Sequence, residues 1–248
     1  MKFDILELEQ LGSTNAYARG LLQNSDAGEG TLVWAREQYA GRGQGDNQWF
    51  SERGSSLTFS VILRPSFLLP GLQFMLNKVV TIAVLKTIRN FTAREQNACI
   101  KWPNDIYAGN GKLAGILIEH NIVSDHIQGS IVGVGINLNQ EKFPAALPNP
   151  VSLKQITGND FDARDVLELY CGNLDLDYAR LEMNGYDGID SEYDACLFGF
   201  REKMNFTSGG LTFTGEIKGV DEYGRLCVKD PDGRIRAFNH GEINQNRE

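Results

Sequence analysis

Apolar and polar positions follow two periodicities along this chain. Residues 31–35 form a short apolar run, and residues 57–63 alternate apolar side chains with Thr58, Ser60 and Ile62, as in a strand with one buried face. From residue 72 to 89 apolar side chains recur every three or four positions, which predicts an amphipathic helix packed on a sheet. The predicted helices cover residues 16–22, 72–89, 162–181 and 191–197.

Turn signals between the other apolar runs predict successive hairpins. A strand is expected over residues 98–102, and Asn110-Gly111 is a strong hairpin signal that leads into a strand over 112–119. A turn at Ser124-Asp125 then leads into a strand over 127–139. Because hairpins join antiparallel neighbours, we predict a mainly antiparallel sheet. The proline-rich segment that follows, residues 143–159, is expected to be irregular.

After residue 200 the pattern changes to short strands separated by turns rich in Asp and Gly. Strands are predicted over residues 211–220, 226–229 and 235–238. Their spacing is typical of a small antiparallel barrel of about fifty residues. We therefore predict two domains, residues 1–199 and residues 200–248.

Composition narrows the class of protein and its partners. Of the 248 residues, 42% are hydrophobic and 23% charged, with a formal net charge of −8. Nonspecific nucleic-acid binding depends on clustered Lys and Arg, so we expect protein partners and no nucleic acid. The four cysteines form no CxxC pair and the three histidines no HExxH spacing. No signal-peptide core and no run of ~18 apolar residues is found, so we expect a cytoplasmic protein without a membrane segment.

A glycine-rich stretch at residues 39–49 is the first candidate for chemistry. Three glycines alternate with Arg42 and its neighbours, and Trp49 ends the stretch. Glycine allows close backbone approach and leaves amides free to donate to anions. The stretch predicts a mobile loop over a flat, anionic ligand, and the alternative is an ordinary flexible hairpin loop.

Two further groups of polar residues are candidates. The segment Ser13-Thr14-Asn15 can cap the helix that begins there, and exposed amides at a helix start also suit a polar or anionic ligand. Asp105 and Lys112 are expected at neighbouring ends of one hairpin. With Arg42 they suit nucleotidyl transfer, because catalysis at phosphorus needs positioning and charge neutralisation. Taken singly, each is better explained as a surface charge at a hairpin end, and only their combination favours this chemistry.

Together and in this order, these segments resemble the biotin protein ligases. The resemblance covers nearly the whole chain, and Lys-Trp-Pro-Asn-Asp followed by Lys-Leu-Ala-Gly-Ile is its most specific part. The matching segments are Ser13-Thr14-Asn15, Gln38, Gly41-Arg42-Gly43, Trp49, Lys101-Trp102-Pro103-Asn104-Asp105, Lys112-Leu113-Ala114-Gly115-Ile116-Leu117-Ile118-Glu119 and Gly133-Val134-Gly135-Ile136-Asn137.

The resemblance implies a fold and a reaction. The fold would be α+β, with a mixed, mainly antiparallel sheet flanked by helices, as in class II aminoacyl-tRNA synthetases, and a C-terminal SH3-like barrel. Biotin and ATP would give biotinyl-5'-AMP and pyrophosphate, and a lysine of a biotin carboxyl carrier protein would then accept biotin. Mg²⁺ is expected to enter with the ATP phosphates, and its protein ligands stay unassigned.

The resemblance also implies roles for individual residues. Lys112 would hold the biotin carboxylate beside the α-phosphate, and Trp49 would cover the adenine. The catalytic set is Lys112, Arg42 and Asp105. The biotin-binding set is Ser13, Thr14, Gln38, Gly41, Arg42, Lys112, Gly115 and Gly133. The nucleotide-binding set is Arg42, Trp49, Asn104, Lys112 and Asn137.

Two departures from the family pattern affect these expectations. Gln44-Gly45-Asp46 stands where many members have further basic residues, and less positive charge near the phosphate would weaken retention of the adenylate. The pattern also begins at Ser13, which leaves no room for an N-terminal helix-turn-helix, so we expect the monofunctional type. A homodimer is expected by analogy only.

Two alternatives stay open. A lipoate-type ligase shares the fold and also makes acyl adenylates, but Ser13-Thr14-Asn15, Gln38 and an SH3-like tail suit a ureido ligand better. The second alternative is an inactive adaptor of the same fold. Intact Lys112, Arg42 and Asp105 argue against it.

Overall fold

The computed structural model describes residues 1–24, 27–45, 47–93 and 96–246, and a seven-stranded sheet lies at its centre. Its strands are β1 (Asp4–Leu8), β2 (Thr31–Ala35), β3 (Ser56–Leu63), β4 (Ala98–Lys101), β5 (Asp105–Ala108), β6 (Gly111–Val123) and β7 (His126–Asn137). Their spatial order is β1-β2-β3-β7-β6-β5-β4. Strands β1 and β2 pair in parallel and the other neighbours pair antiparallel, so the predicted mixed, mainly antiparallel sheet is confirmed.

Helices flank this sheet, as the α+β prediction requires. They are α1 (Thr14–Gln23), α2 (Phe74–Arg89), α3 (Leu153–Thr157), α4 (Ala163–Glu182) and α5 (Tyr186–Ala195). Side chains accept from free amides at three helix starts: Ser13 accepts from the Ala16 amide, Ser152 from the Gln155 amide and Asp162 from the Arg164 amide. Capping by Ser13 is therefore confirmed.

Different helices cover the two faces of the sheet. Leu57, Phe59 and Val61 of β3 pack into the large core with α2 and α4, whereas Ile62 packs with α1. Every residue of β3 is buried, so the expectation of one buried face is wrong. Because a helix covers each face, the polar positions of β3 on the α1 side are also removed from solvent.

A second, five-stranded antiparallel sheet follows. Its strands are β8 (Lys203–Ser208), β9 (Leu211–Val220), β10 (Leu226–Lys229), β11 (Ile235–Phe238) and β12 (Asn244–Asn246). Their order is β11-β10-β9-β8-β12. The two edge strands do not pair with each other within the described residues, so the predicted closure into a barrel is not confirmed. We call strands β8 to β12 the C-terminal sheet.

The sequence analysis missed several elements of the fold and misplaced one. Strands β1, β8 and β12 and helix α3 were not predicted, and α5 begins five residues before the predicted 191. Strand β8 carries several polar residues, and its neighbours in the sheet come later in the chain. Helix α3 is only five residues long and is defined by a capping box in which Ser152 and Gln155 exchange hydrogen bonds. None of these elements has a strong local periodicity.

One helix is long and apolar enough to cross a membrane, contrary to the expectation that no run approaches this length. It comprises residues 70–89, including α2, with a mean hydropathy of 1.3 over an 18-residue window. That window is 67% buried inside the protein. Its burial is that of a core helix, and core helices commonly satisfy the same length and composition test.

A partly buried group of charged side chains joins the C-terminal sheet to the helices. Lys78 of α2 is 1% exposed, and its Nζ donates to Asp190 Oδ1 at 2.8 Å and to the Val220 carbonyl at 3.0 Å. Asp194 Oδ1 accepts from the Val220 amide at 3.1 Å. Burial raises the pKa of Asp194 to about 6, against the opposing effect of Lys78. A charged Asp194 therefore destabilises this junction.

Asp194→Asn should remove a pH dependence of folding. A carboxyl whose pKa is higher in the folded protein gives stability at low pH and loses it as the pH rises through about 6. On lowering the pH from ~7.5 to ~5, wild type should gain on the order of 1 kcal/mol in unfolding free energy relative to the variant. Urea denaturation at both pH values measures this difference. An equal pH response in both proteins would contradict the account.

Candidate active site

The register of the first sheet gathers the candidate residues on the face that carries α1. Asp105 lies opposite Gly115, and Gly115 lies opposite Gly135. In the next row of the same face, Gly133 lies opposite Ser60. Directly opposite residues of antiparallel strands share a face, so these residues line one surface. Together with the start of α1 and the glycine-rich loop they form a cleft of about 540 Å³.

Glycines form the floor of this cleft because side chains there would collide with neighbours. A Cβ at Gly133 would lie 2.1 Å from Asn15 Oδ1. A Cβ at Gly135 would lie 2.3 Å from Trp49 Cε2, and one at Gly115 would lie 3.0 Å from Trp49 Cζ3. The indole of Trp49 thus lies against bare backbone of β6 and β7.

One end of the cleft is polar. Gln38 Oε1 accepts the main-chain N–H of Thr14 at 2.7 Å, which turns the Gln38 amino group, a donor, away from Thr14. Ser13, Thr14 and Gln38 are all buried and all line the cleft. The structure therefore brings together the three residues whose hydrogen-bonding groups were expected to bind a ureido ring.

The centre of the cleft holds an ion pair. Lys112 Nζ lies 2.7 Å from Asp105 Oδ2, with the two side chains 31% and 25% exposed. The same ammonium lies 6.0 Å from the centroid of the Trp49 ring. Lys112 is held by its backbone as well, because its amide donates to the Asn149 carbonyl at 2.7 Å. The expected proximity of Asp105, Lys112 and the loop is confirmed.

The glycine-rich loop folds back on itself. The Gly43 amide donates to the Asn47 carbonyl at 2.8 Å, and the Trp49 amide donates to the Gly41 carbonyl at 3.0 Å. A Cβ at Gly41 would lie 2.4 Å from the Trp49 carbonyl oxygen, so this close approach requires glycine. Asp46, part of the predicted departure from the family pattern, lies outside the described residues.

Arg42 extends from this loop toward strand β6. Its guanidinium lies 3.9 Å from Glu119 Oε1 and its side chain is half exposed. Arg19 of α1 contacts the same carboxylate. Arg42 lines the cleft, but the polar partner it has in this structure is Glu119, which was not among the predicted site residues.

The two asparagines expected at the nucleotide use their amides on the protein backbone. Asn104 Nδ2 donates to the Ile116 carbonyl. Asn137 Nδ2 donates to the carbonyls of Lys112 at 3.3 Å and Val151 at 3.1 Å. Both residues line the cleft. In this structure their amino groups hold the strands around Lys112 in place.

Several residues of the site escaped the sequence analysis. Ser60 was not predicted: behind the polar end of the cleft its Oγ lies 2.6 Å from Oδ1 of Asn15, which belongs to the candidate segment Ser13-Thr14-Asn15. Serine on a strand that is buried on both faces is the signal that marks Ser60. His240 of the C-terminal sheet region also lines the cleft, with its ring 5.9 Å from that of Trp102. Further lining residues that were not predicted include Phe50, Tyr107, Phe143, Ala146, Leu147, Pro148 and Pro150.

No group of three or more His, Cys, Asp or Glu side chains suited to a metal ion is found within the part of the chain that the structure describes. Asp105 is the carboxylate among the described residues that line the cleft. Mg²⁺ commonly binds through one or two carboxylates together with substrate phosphates. The donor set therefore fits a Mg²⁺ ion held mainly by a nucleotide.

Two family models match this chain. The model of the biotin/lipoate A/B protein ligase family matches residues 7–137, which include the loop, β6 and β7. The model of the biotin protein ligase C-terminal domain matches residues 204–244, most of the C-terminal sheet. The residues that line the cleft are thus drawn from the matched segments and from the stretch between them.

Individual proteins are similar over nearly the whole chain. The biotin--[acetyl-CoA-carboxylase] ligase of Paracoccus denitrificans is 30% identical, covering 92% of this chain and 95% of that protein. The bifunctional ligase/repressor BirA of Bacillus subtilis is 32% identical, covering 92% of this chain and 70% of that protein. The biotin protein ligase from Aquifex aeolicus in complex with biotin and ATP has a TM-score of 0.80 and 26% identity, covering 99% of each chain.

Gly133→Ala should destabilise the fold, because the new methyl group would overlap the Asn15 side chain. Overpacking of this kind costs roughly 1–3 kcal/mol in unfolding free energy. Gly172→Ala on α4 is the matched control, since a Cβ there meets nothing within 4 Å. The control should be neutral or slightly stabilising. Chemical denaturation measures both, and an unchanged Gly133→Ala protein would contradict the described contact.

Proposed function

The chain belongs to the biotin/lipoate A/B protein ligase family, and from this premise we propose that it is a biotin protein ligase. It activates biotin with ATP and transfers the biotinyl group to a lysine of a biotin carboxyl carrier protein. One observation carries this proposal: a single cleft contains two groups. They are the polar residues Thr14 and Gln38, and the ion pair of Lys112 with Asp105.

The polar end is chemically complementary to the urea of biotin. A cyclic urea offers one carbonyl acceptor between two N–H donors. The Gln38 amino group supplies a donor, and the hydroxyls of Ser13 and Thr14 supply acceptors. Trp49 lies against Gly115 and Asn15 lies against Gly133 in this structure, so the fused rings enter beside these strands once Trp49 has moved with the loop. We assign biotin binding to Ser13, Thr14, Gln38, Gly41, Arg42, Lys112, Gly115 and Gly133.

Lys112 performs the main catalytic task in the first reaction. A carboxylate oxygen of biotin attacks the α-phosphorus of ATP, and the bond from that phosphorus to the pyrophosphate oxygen breaks. Both reacting groups are anionic, so a cation between them offsets their repulsion and stabilises the charge that develops. Asp105 holds the Lys112 ammonium in the centre of the cleft. Arg42 supplies further positive charge from the loop.

The nucleotide is assigned to the part of the cleft next to Lys112. Trp49 contributes an aromatic surface that covers the adenine after loop movement, and excluding water protects the acyl adenylate from hydrolysis. Asn104 and Asn137 act near the nucleotide by holding the backbone around Lys112, in keeping with their main-chain hydrogen bonds. Mg²⁺, carried by the ATP phosphates, neutralises phosphate charge when bound.

The second reaction consumes the adenylate. The ε-amine of the carrier lysine attacks the acyl carbon, an amide bond forms, and AMP leaves. The carrier is a domain of a carboxylase such as acetyl-CoA carboxylase, in keeping with the name of the Paracoccus relative. The C-terminal sheet is assigned to an SH3-like module over residues 200–248. Its His240 reaches the cleft, which places this module where it can contact nucleotide or carrier.

The alternatives are not favoured by these comparisons. The relatives are named for biotin, and the similar Aquifex aeolicus structure contains biotin and ATP. This chain covers 95% of the Paracoccus ligase, and this coverage fits the monofunctional type. We also propose that the protein is cytoplasmic, that residues 1–199 form its catalytic domain, and that it forms a homodimer.

Lys112→Ala should abolish biotin-dependent exchange of labelled pyrophosphate into ATP. Loss of one charge-stabilising group at a reacting phosphate typically lowers the rate by about 10²–10³-fold. Lys203→Ala on β8, an exposed lysine outside the cleft, is the matched control and should keep the wild-type rate. Measuring exchange with biotin, lipoate and octanoate separates the candidate functions.

Exchange that depends on lipoate or octanoate but not on biotin would identify an acyl-protein ligase of the lipoate type. Absence of exchange with every acid would favour the adaptor. Wild-type exchange by Lys112→Ala would contradict the assigned catalytic role while leaving the substrate assignment intact.

A further inference from the structure

A series of hydrogen-bonded side chains runs behind the polar end of the cleft. Ser60 Oγ lies 2.7 Å from Thr14 Oγ1 and 2.6 Å from Asn15 Oδ1. Asn15 Nδ2 donates to Glu119 Oε2 at 2.9 Å and to the Leu117 carbonyl at 3.3 Å. Ser60 is fully buried, so water does not compete for its hydroxyl. The series connects α1, β3 and β6.

The carboxylate of Glu119 and the carbonyl of Leu117 fix the direction of these hydrogen bonds. A carboxylate accepts, so Asn15 must present its amino group to Glu119 and its Oδ1 to Ser60. The Ser60 hydroxyl has one proton, and Oδ1 has none, so the 2.6 Å contact requires that proton. The 2.7 Å contact between the two hydroxyl oxygens then requires the proton of Thr14.

Thr14 is thereby left as an acceptor. Its proton points toward Ser60, and its lone pairs remain available at the cleft, which Thr14 lines. Gln38 Oε1, which receives the main-chain N–H of Thr14 at 2.7 Å, is a second acceptor within reach of the Thr14 hydroxyl at 3.1 Å, and Ser60 Oγ at 2.7 Å is the closer of the two. The polar end therefore combines an acceptor at Thr14 with a donor at Gln38.

We propose that Ser60 and Glu119 are positioning residues that make the Thr14 hydroxyl an acceptor for a ureido N–H of biotin. This inference rests on the proposed function and adds two residues that do not touch the ligand. Without Ser60, the Thr14 hydroxyl keeps only the more distant protein acceptor, Gln38 Oε1 at 3.1 Å, and its proton is free to turn toward the ligand. Two donors then face each other at the ureido N–H, and specific recognition of the urea is lost.

Ser60→Ala tests this directly, since it removes one buried hydroxyl with little change in volume. By isothermal titration calorimetry, the dissociation constant for biotin should rise about tenfold, as for the loss of a buried hydrogen bond. The KM for ATP in pyrophosphate exchange should change by less than about twofold, since the urea does not meet the nucleotide. Desthiobiotin, which keeps the urea and lacks the sulfur, should lose affinity by the same factor as biotin.

Ser130→Ala is the matched control. Ser130 is also fully buried on the first sheet, and it hydrogen-bonds to His120 rather than to the Thr14 series. This control should bind biotin as wild type does. A loss of biotin affinity equal to that of Ser60→Ala would show a general effect of a buried serine and would overturn the inference.

Glu119 supplies an independent test on a partly exposed side chain. Glu119→Gln keeps an oxygen that accepts from Asn15, so it should bind biotin nearly as wild type does. Glu119→Ala removes the closer of the two acceptors of the Asn15 amino group and leaves the Leu117 carbonyl, so it should weaken biotin binding, but by less than Ser60→Ala does. Equal losses in the Gln and Ala variants, or an unchanged Ser60→Ala protein, would overturn the inference. Failure of wild type to bind biotin would instead refute the proposed function.

Discussion

The pairing of β6 with β7 is the constraint on which the candidate site depends. Its register sets Gly115 opposite Gly135 and Leu117 opposite Gly133, so bare backbone forms the floor of the cleft. Asn15 and Trp49 occupy space that any larger residue at Gly133 or Gly135 would fill. A shift by one residue would turn side chains such as Ile116 and Val134 into the cleft. The hairpin therefore sets both the shape of the site and the place of its polar groups.

Lys112 depends on the same hairpin for its position. Its amide donates to the Asn149 carbonyl, its carbonyl accepts from the Val151 amide, and its ammonium contacts Asp105. A flexible lysine is thereby held near one point by backbone pairing and by charge. In the proposed reaction, the cation would therefore need little reorganisation when the two anionic substrates meet. Such preorganisation is how charged groups contribute most to catalysis at phosphorus.

Local signals allowed much of this structure to be predicted. The long helices follow from helical periodicity, and the hairpin at Asn110-Gly111 follows from turn chemistry. That hairpin predicted that Asp105 and Lys112 would lie close together. The role of Ser60 could not be predicted, because its partner Thr14 is 46 residues away in the chain. Motif matching also placed Asn137 at the nucleotide, but only the fold shows that its amide holds the backbone of Lys112 and Val151.

In the proposed complex, one cleft holds both parts of biotin: the urea lies at Thr14 and Gln38, and the reacting carboxyl lies at Lys112. A crystal structure of the protein with biotinyl-5'-AMP tests it most directly. We expect the ureido ring to lie within hydrogen-bond distance of Thr14 and Gln38, and Lys112 to contact the adenylate phosphate. A ureido ring bound elsewhere, or a phosphate out of reach of Lys112, would contradict it.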